Sequence, residues 1–73
     1  MVQTMETMKI IGQAVSQQRK KLNINQDAVI DYAEISPATL SNLESGKGNI
    51  SINKLVSILE VIGLELKIVE KRT

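Results

Sequence analysis

Apolar residues recur at intervals of three and four along most of this chain, which is the spacing of one face of an α-helix. The first helix predicted in this way runs from about residue 8 to residue 22 and has about four turns. Its apolar positions are Met8, Ile11, Val15 and Leu22. We expect Ile10 and Ala14 to widen the buried face. Residues 1–7 lack this period and are expected to be frayed, with Met5 and Met8 as alternative translation starts to Met1.

The next predicted helix runs from Gln26 to Ala33. Asn25 is a favourable N-cap, and Asp27 lies in the first turn, where the helix dipole favours a carboxylate. The inner face consists of Val29, Ile30 and Ala33. Only about three residues lead to the following helix, and Glu34 stands where glycine would ease the turn. Two helices joined so closely pack at a steep angle, as in a helix-turn-helix.

The third predicted helix runs from Pro37 to about Ser45. Ser36 is a favourable N-cap, and Gly46 ends the helix because glycine takes the left-handed conformation at low cost. By spacing, one face carries Leu40, Leu43 and Glu44. The opposite face is small and polar and carries Pro37, Ala38, Ser41, Asn42 and Ser45. Such a face is what a helix needs to lie against base edges in the major groove of DNA, although an ordinary solvated face has the same composition.

A loop of turn residues at 46–49 precedes the fourth predicted helix. Its N–H groups, together with Lys47 and Asn49, are suited to a phosphate, or the loop is a plain connector. Ser51 caps the fourth helix, which runs from about residue 52 to residue 62 and is ended by Gly63. This helix is apolar on more than one face, which indicates that a partner chain covers it.

The segment 64–70 changes to an alternation of apolar and charged residues, which predicts a β-strand. Because no other strand is predicted, we expect it to pair with its own copy across a two-fold axis. The pairing residues are Leu64, Glu65, Leu66, Lys67 and Ile68. An antiparallel register centred on Leu66 sets opposite charges together, whereas one centred on Lys67 opposes like charges. The alternative is a disordered or helix-extending tail, and residues 71–73 are expected to be a tail in either case.

Composition excludes several classes of function. The chain has 73 residues and so forms one domain at most, and it has no cysteine and no histidine. Disulfides, the common zinc sites and Ser-His or Cys-His catalytic pairs are therefore excluded, and we expect no enzyme activity, cofactor or metal. No apolar run approaches the roughly 20 residues that span a bilayer, and no secretory signal is present, so a cytoplasmic protein without a membrane partner is expected.

Charge is unevenly distributed although the net value is only +1. Residues 1–25 carry four basic and one acidic side chain, residues 26–46 carry four acidic and no basic ones, and residues 47–73 carry five basic and three acidic ones. The helix pair itself is thus acidic, which weakens any general attraction to phosphate. A monomer that binds DNA should therefore bind weakly.

Several motifs resemble the Xre/Cro/cI helix-turn-helix family, the lambda repressor-like domains. The resemblance covers residues from about 11 to 64 and rests on Arg19, NQ at 25–26, ISPATLSNLESGKGN at 35–49 and SINKL at 51–55. Together with the LELKIVE segment at 64–70, the chain is most similar to HipB-type antitoxins. Those proteins partner HipA-type serine/threonine kinase toxins and pair their C-terminal strands across a dimer. The resemblance implies an all-α fold of four to five helices over residues 8–63, plus a dimerising β-strand.

The resemblance also implies a role for each matching residue. Base contacts would come from Ser36, Pro37, Ala38, Ser41 and Asn42. Contacts to the DNA backbone would come from Gln26, Thr39, Lys47 and Asn49. Arg19 and Glu44, which helical spacing also places inward, would form a partly buried ion pair. The recognition helix lacks Arg, Lys and Gln, so specificity is expected to depend partly on DNA shape.

These features predict a homodimeric repressor that binds a palindromic double-stranded operator in a prokaryotic nucleoid. As an antitoxin it would repress its own operon and bind a HipA-like kinase toxin. Two alternatives remain open. One is a free-standing regulator of phage or restriction-modification type, with DNA as sole partner. The other is a protein-interaction module that no longer binds DNA, which the acidic helix pair would favour.

Overall fold

The computed structural model describes residues 2–71 of the protein and consists, over that range, of four α-helices without a β-strand. The helices are α1 (Val2–Lys21), α2 (Gln26–Ala33), α3 (Pro37–Glu44) and α4 (Ile52–Val61). α1 packs against α3, and α2 packs against both α3 and α4. The all-helical fold and the positions of α2 to α4 confirm the prediction.

The core is aliphatic and draws on all four helices. Its buried residues are Val15, Val29, Ala33, Leu40, Leu43, Leu55, Ile58, Leu59 and Ile62. The inner faces predicted for α2 and α3 supply almost half of this set, and Ile30 lies partly buried at its edge. Ile24, in the turn before α2, also packs against the core. Because α3 holds its two leucines in this core, its opposite face is turned outward.

α1 differs from the predicted helix in both length and burial. It begins at Val2, so most of the segment expected to be frayed is helical, while Met1 lies outside the described residues. Once a turn exists, a helix extends by one hydrogen bond per residue without needing a packed face, and apolar periodicity therefore underestimates its length. Ala14 is exposed and Ile10 is 66% exposed, contrary to the prediction, because α1 has α3 as its main neighbour and buries a narrow stripe.

Leu22 is also more exposed than predicted, with 46% of its surface accessible. α1 ends one residue earlier, and the chain turns at Asn23, whose φ is 59°. Leu22 therefore lies in the turn after α1 and outside the packed stripe of that helix. Arg19, one turn earlier, occupies the inward position instead and is 9% exposed.

Three N-caps were predicted and all three are present. Asn25 Oδ1 accepts from the N–H of Ala28 at 2.9 Å, and Ser36 Oγ accepts from that of Thr39 at 3.1 Å. Ser51 Oγ accepts from the N–H of Lys54 at 3.2 Å. These bonds satisfy N–H groups that have no partner inside a helix, and they set the points at which α2, α3 and α4 begin.

The turn between α2 and α3 is held by Lys54 of α4, a residue that sequence analysis did not single out. Glu34 adopts the left-handed conformation, with φ 55° and ψ 52°, although it is not glycine. The ammonium group of Lys54 on α4 donates to the carbonyl oxygens of Ala33 and Glu34, both at 3.2 Å. A cation at this position favourably opposes the negative end of the α2 dipole. Lys54 therefore ties α4 to the turn that orients α3.

The predicted β-strand at 64–70 is not formed within the single chain. Leu64 donates its N–H to the carbonyl of Leu59 at 3.0 Å and packs partly against the core, but the residues after it are exposed. Ile68 is 96% exposed. Glu65 and Lys67 form an exposed ion pair of 3.6 Å, as expected for residues two apart in an extended backbone. Of the predicted tail, Lys71 is exposed, and residues 72–73 lie outside the described range.

Replacement of Glu34 tests the left-handed turn. Glu34→Gly should raise the free energy of unfolding by about 1 kcal/mol, because glycine adopts this conformation without a Cβ penalty. For a domain of this size the melting temperature should rise by about 4–8 °C. Glu34→Ala removes the same charge but keeps the Cβ, and is expected to give no such gain. Equal melting temperatures for the two variants would show that backbone strain at this residue is negligible.

Candidate nucleic-acid interface

The outer face of α3 is an exposed surface of small side chains. Its exposed members are Pro37, Ala38, Ser41, Asn42 and Ser45, with the N-cap Ser36 beside them. α3 has 8 residues, and an α-helix with its side chains is about 10–12 Å in diameter, which fits the major groove of about 12 Å. The absence of bulky side chains on this face lets the helix backbone approach base edges closely.

Among the residues that the structure describes, some of these polar side chains are hydrogen-bonded within the protein, whereas the amide of Asn42 is not. The hydroxyls of Ser36 and Thr39 lie 2.9 Å apart and share a hydrogen bond, and Ser45 Oγ donates to the carbonyl oxygen of Ser41 at 2.8 Å. Within the described part of the chain, the side-chain amide of Asn42 has no hydrogen-bond partner. An asparagine amide can pair with the two major-groove atoms of adenine at once. Asn42 is thus the group on this face best equipped to contact a base.

The loop after α3 lies along the edge of the helix that carries Thr39 and Asn42. The N–H of Lys47 donates to the carbonyl of Asn42 at 2.7 Å, and a small polar recess of about 70 Å³ lies between helix and loop. Gly48 has a φ of 85°, and a Cβ there would lie 3.1 Å from the Cβ of Asn42. Lys47 and Asn49, both predicted to contact the DNA backbone, line this recess with Thr39.

Gln26, the remaining predicted backbone contact, lies at the other edge of α3. Its Nε2 donates to Oε1 of Glu44 at 3.1 Å, an interaction that sequence analysis did not anticipate. One amide hydrogen is used in this bond, which leaves the second hydrogen and the amide oxygen for a further partner. The bond orients Gln26 at the first residue of α2, where N–H groups and the helix dipole favour an anion.

The predicted ion pair between Arg19 and Glu44 is present and bidentate. Arg19 Nε and Nη2 donate to Glu44 Oε2 and Oε1 at 2.7 and 3.0 Å, and Nη1 donates to the carbonyl oxygen of Ile24 at 3.0 Å. The two side chains are only 11% and 9% exposed. One guanidinium therefore joins α1, the C-terminal end of α3 and the turn before α2.

The pair determines the protonation of Glu44. Burial alone would raise the pKa of this carboxyl, but the hydrogen bonds from Arg19 and Gln26, together with the positive charge of Arg19, lower the pKa below its ordinary value. A lowered pKa in the folded state means that the stabilisation is complete above the ordinary carboxyl pKa and is lost as pH falls through the folded pKa. At neutral pH the carboxylate is thus charged and fully engaged with its partners.

Two residues beside α3 were not identified as candidates from the sequence. Lys9 and Gln13 of α1 line a shallow groove with Glu44 and Ser45. Their spacing of four residues can be read from the sequence and places them on one side of α1. Their position beside α3, however, follows from helix packing. The sequence alone has no feature that would have shown this.

A double-mutant cycle tests the ion pair. Glu44→Ala should lower the free energy of unfolding by about 3 kcal/mol, because it leaves the Arg19 guanidinium buried without its charge partner. Arg19→Ala should cost a similar amount, and the double variant should cost less than the sum of the single changes. Urea unfolding measures all three, with Glu60→Ala as a control for an exposed glutamate. Additive losses would refute the coupling between the two side chains.

Comparison with known proteins agrees with this geometry. No described helix is long and apolar enough to cross a membrane. Searches of curated proteins and of solved structures found no match. A family model described as helix-turn-helix matches residues 15–69, which include α2, α3 and α4 and most of the segment 64–70. The chain therefore belongs to this helix-turn-helix family of DNA-binding transcription regulators.

Proposed function

We propose that the protein is a sequence-specific transcriptional repressor that inserts α3 into the major groove of operator DNA. The observation that carries this proposal is the outer face of α3, which is exposed, lacks bulky side chains and presents the unpaired amide of Asn42. Ser36, Pro37, Ala38 and Ser41 complete the base-contacting set. Gln26 on one edge and Thr39, Lys47 and Asn49 on the other would contact the DNA backbone.

A dimer follows from the weakness of a single interface. The segment 26–46 carries four acidic and no basic side chains, so one copy gains little general attraction to phosphate. Two copies joined by a two-fold axis would double the contacts and place two α3 helices about one DNA turn apart, on a palindromic site. Base contacts and geometry, rather than net charge, would then provide most of the discrimination.

The segment 64–70 is the part of the chain best placed to form that dimer. A groove beside α4 continues into the exposed alternating residues that follow. It is lined by the apolar residues Val56, Leu59, Leu64 and Leu66 together with Glu60 and Glu65. Unpaired extended backbone with apolar side chains is stabilised by pairing with a second strand. The Leu66-centred antiparallel register sets Glu65 of each copy opposite Lys67 of the other and Leu64 opposite Ile68.

An antitoxin role is the finer form of the proposal. It is supported by the resemblance of ATLSNLE at 38–44 and LELKIVE at 64–70 to HipB-type sequences. In that role the protein would act in a prokaryotic cytoplasm, repress its own operon and bind a HipA-like kinase. A kinase-like gene next to its own would favour this form over a free-standing regulator with DNA as sole partner.

DNA titrations at two salt concentrations test the repressor proposal. The protein should bind DNA from immediately upstream of its own gene about 100-fold or more tightly than a scrambled fragment of the same composition. This preference should persist at the higher salt concentration, because base contacts do not depend on counterion release. Equal and salt-labile binding to both fragments, or no binding, would contradict the proposal and favour a protein-interaction module.

Asn42→Ala separates base recognition from general binding in the same titration. It should weaken binding to the upstream fragment by about tenfold or more while leaving the scrambled fragment nearly unaffected. The matched control is Asn53→Ala, which removes an exposed amide from α4, outside the set of residues proposed to contact DNA. Equal effects of the two changes would exclude Asn42 as a base contact.

Cysteine crosslinking tests the dimer register, and the chain has no natural cysteine to interfere. In the Leu66-centred pairing the two copies of residue 66 lie directly opposite, at a Cα distance of about 5 Å that a disulfide can span. Leu66→Cys should therefore crosslink efficiently and Lys67→Cys poorly. Efficient crosslinking at residue 67 alone would reject this register.

A further inference from the structure

α1 crosses the C-terminal end of α3 at very short range. Gly12 makes this crossing possible, because a Cβ there would collide with the carbonyl oxygen of Leu43. Three residues earlier, Lys9 lies against Gly46, where an added Cβ would be 2.7 Å from the Cγ of Lys9 and 3.0 Å from its Cα. The N-terminal half of α1 is therefore held beside the end of the recognition helix.

The groove formed by this crossing is polar and has two unused donors. It has a volume of about 260 Å³ and is lined by Lys9, Gln13, Glu44 and Ser45. Lys9 and Gln13 are exposed, one helical turn apart, and within residues 2–71 neither side chain has a hydrogen-bond or ion-pair partner. The acidic member, Glu44, is already bound by the Arg19 guanidinium and the Gln26 amide, so its charge is largely compensated.

This groove lies across α3 from the recess of the 46–49 loop. At 100° per residue, Thr39 and Asn42 fall on one edge of the outer face of α3, and Glu44 falls on the opposite edge. The first edge borders the loop, and the second borders Lys9 and Gln13. A helix in the major groove has a phosphate backbone along each side. Both edges of α3 therefore carry polar groups where a phosphate strand would run.

We propose that Lys9 and Gln13 form a second DNA-backbone site, which binds a phosphate on the α1 side of the recognition helix. This inference rests on the proposed function and extends it to a helix outside the helix-turn-helix pair. Among the residues that line the groove, Lys9 carries the uncompensated charge, because Gln13 and Ser45 are neutral and Glu44 is bound by Arg19 and Gln26. The ammonium group supplies the positive charge that the acidic helix pair lacks, and the Gln13 amide donates the second hydrogen bond.

The dependence of DNA affinity on salt tests this site. Lys9→Gln should reduce the slope of log affinity against log salt concentration by about 0.9 for each protomer, the value for one lost phosphate contact. Affinity should fall by a similar factor for the upstream and the scrambled fragments, because a phosphate contact carries no sequence information. Gln13→Ala should weaken binding to both fragments alike, with little change in the salt dependence of the affinity. Lys71→Gln, which removes an exposed lysine from the tail, is the matched control for net charge.

The outcomes separate this site from the proposed function. If the unmodified protein binds neither fragment, the proposed function fails and the site with it. If it prefers the upstream fragment but Lys9→Gln gives the same slope as Lys71→Gln, only the second site is overturned. A lower melting temperature for Lys9→Gln with an unchanged slope would also overturn it, because Lys9 would then act only on the C-terminal end of α3.

Discussion

The guanidinium of Arg19 is the group on which the geometry of this small protein most depends. It uses Nε, Nη1 and Nη2 to join the carboxylate at the end of α3 to the backbone before α2. Because one small aliphatic core supplies little stability, a buried polar link of this kind adds to the packing that holds the helices together. Because Glu44 also holds Gln26, the interaction that stabilises the fold orients a predicted contact to DNA. Stability and the proposed contact to DNA therefore depend on the same side chains at this point.

The turn of the helix-turn-helix has a glutamate in a left-handed conformation and is held by a lysine of α4. Glu34 occupies a left-handed position at which a side chain carries a conformational cost. The structure offsets this cost from α4, where the Lys54 ammonium closes the carbonyl end of α2. The angle between α2 and α3 is thus set partly by a residue about 20 positions later in the chain. Substitutions on α4 can therefore alter the presentation of α3 without touching it.

The uneven charge of the chain acquires a physical meaning in the folded protein. Acidic residues are concentrated in the helix pair, and the nearest basic residues come from elements that flank it. Lys47 follows α3 on one side, and Lys9 lies beside it on the other. In the proposed complex with DNA, this arrangement would limit general attraction and would place cations beside the phosphates. It favours a binder that depends on shape and base contacts over one that depends on net charge.

The sequence by itself determined the helices, their caps and most of the core. Asn25, Ser36 and Ser51 act locally, and the apolar spacing of α2 to α4 depends only on helical geometry. The prediction that Ile10 would be buried was wrong, because periodicity shows which residues share a face but not whether a neighbour covers that face. Only the tertiary structure decided that Gln26 bonds Glu44, that Lys54 closes the turn and that Lys9 lies beside α3. Each joins residues more than 15 positions apart, and such contacts arise only when packed helices bring distant segments together.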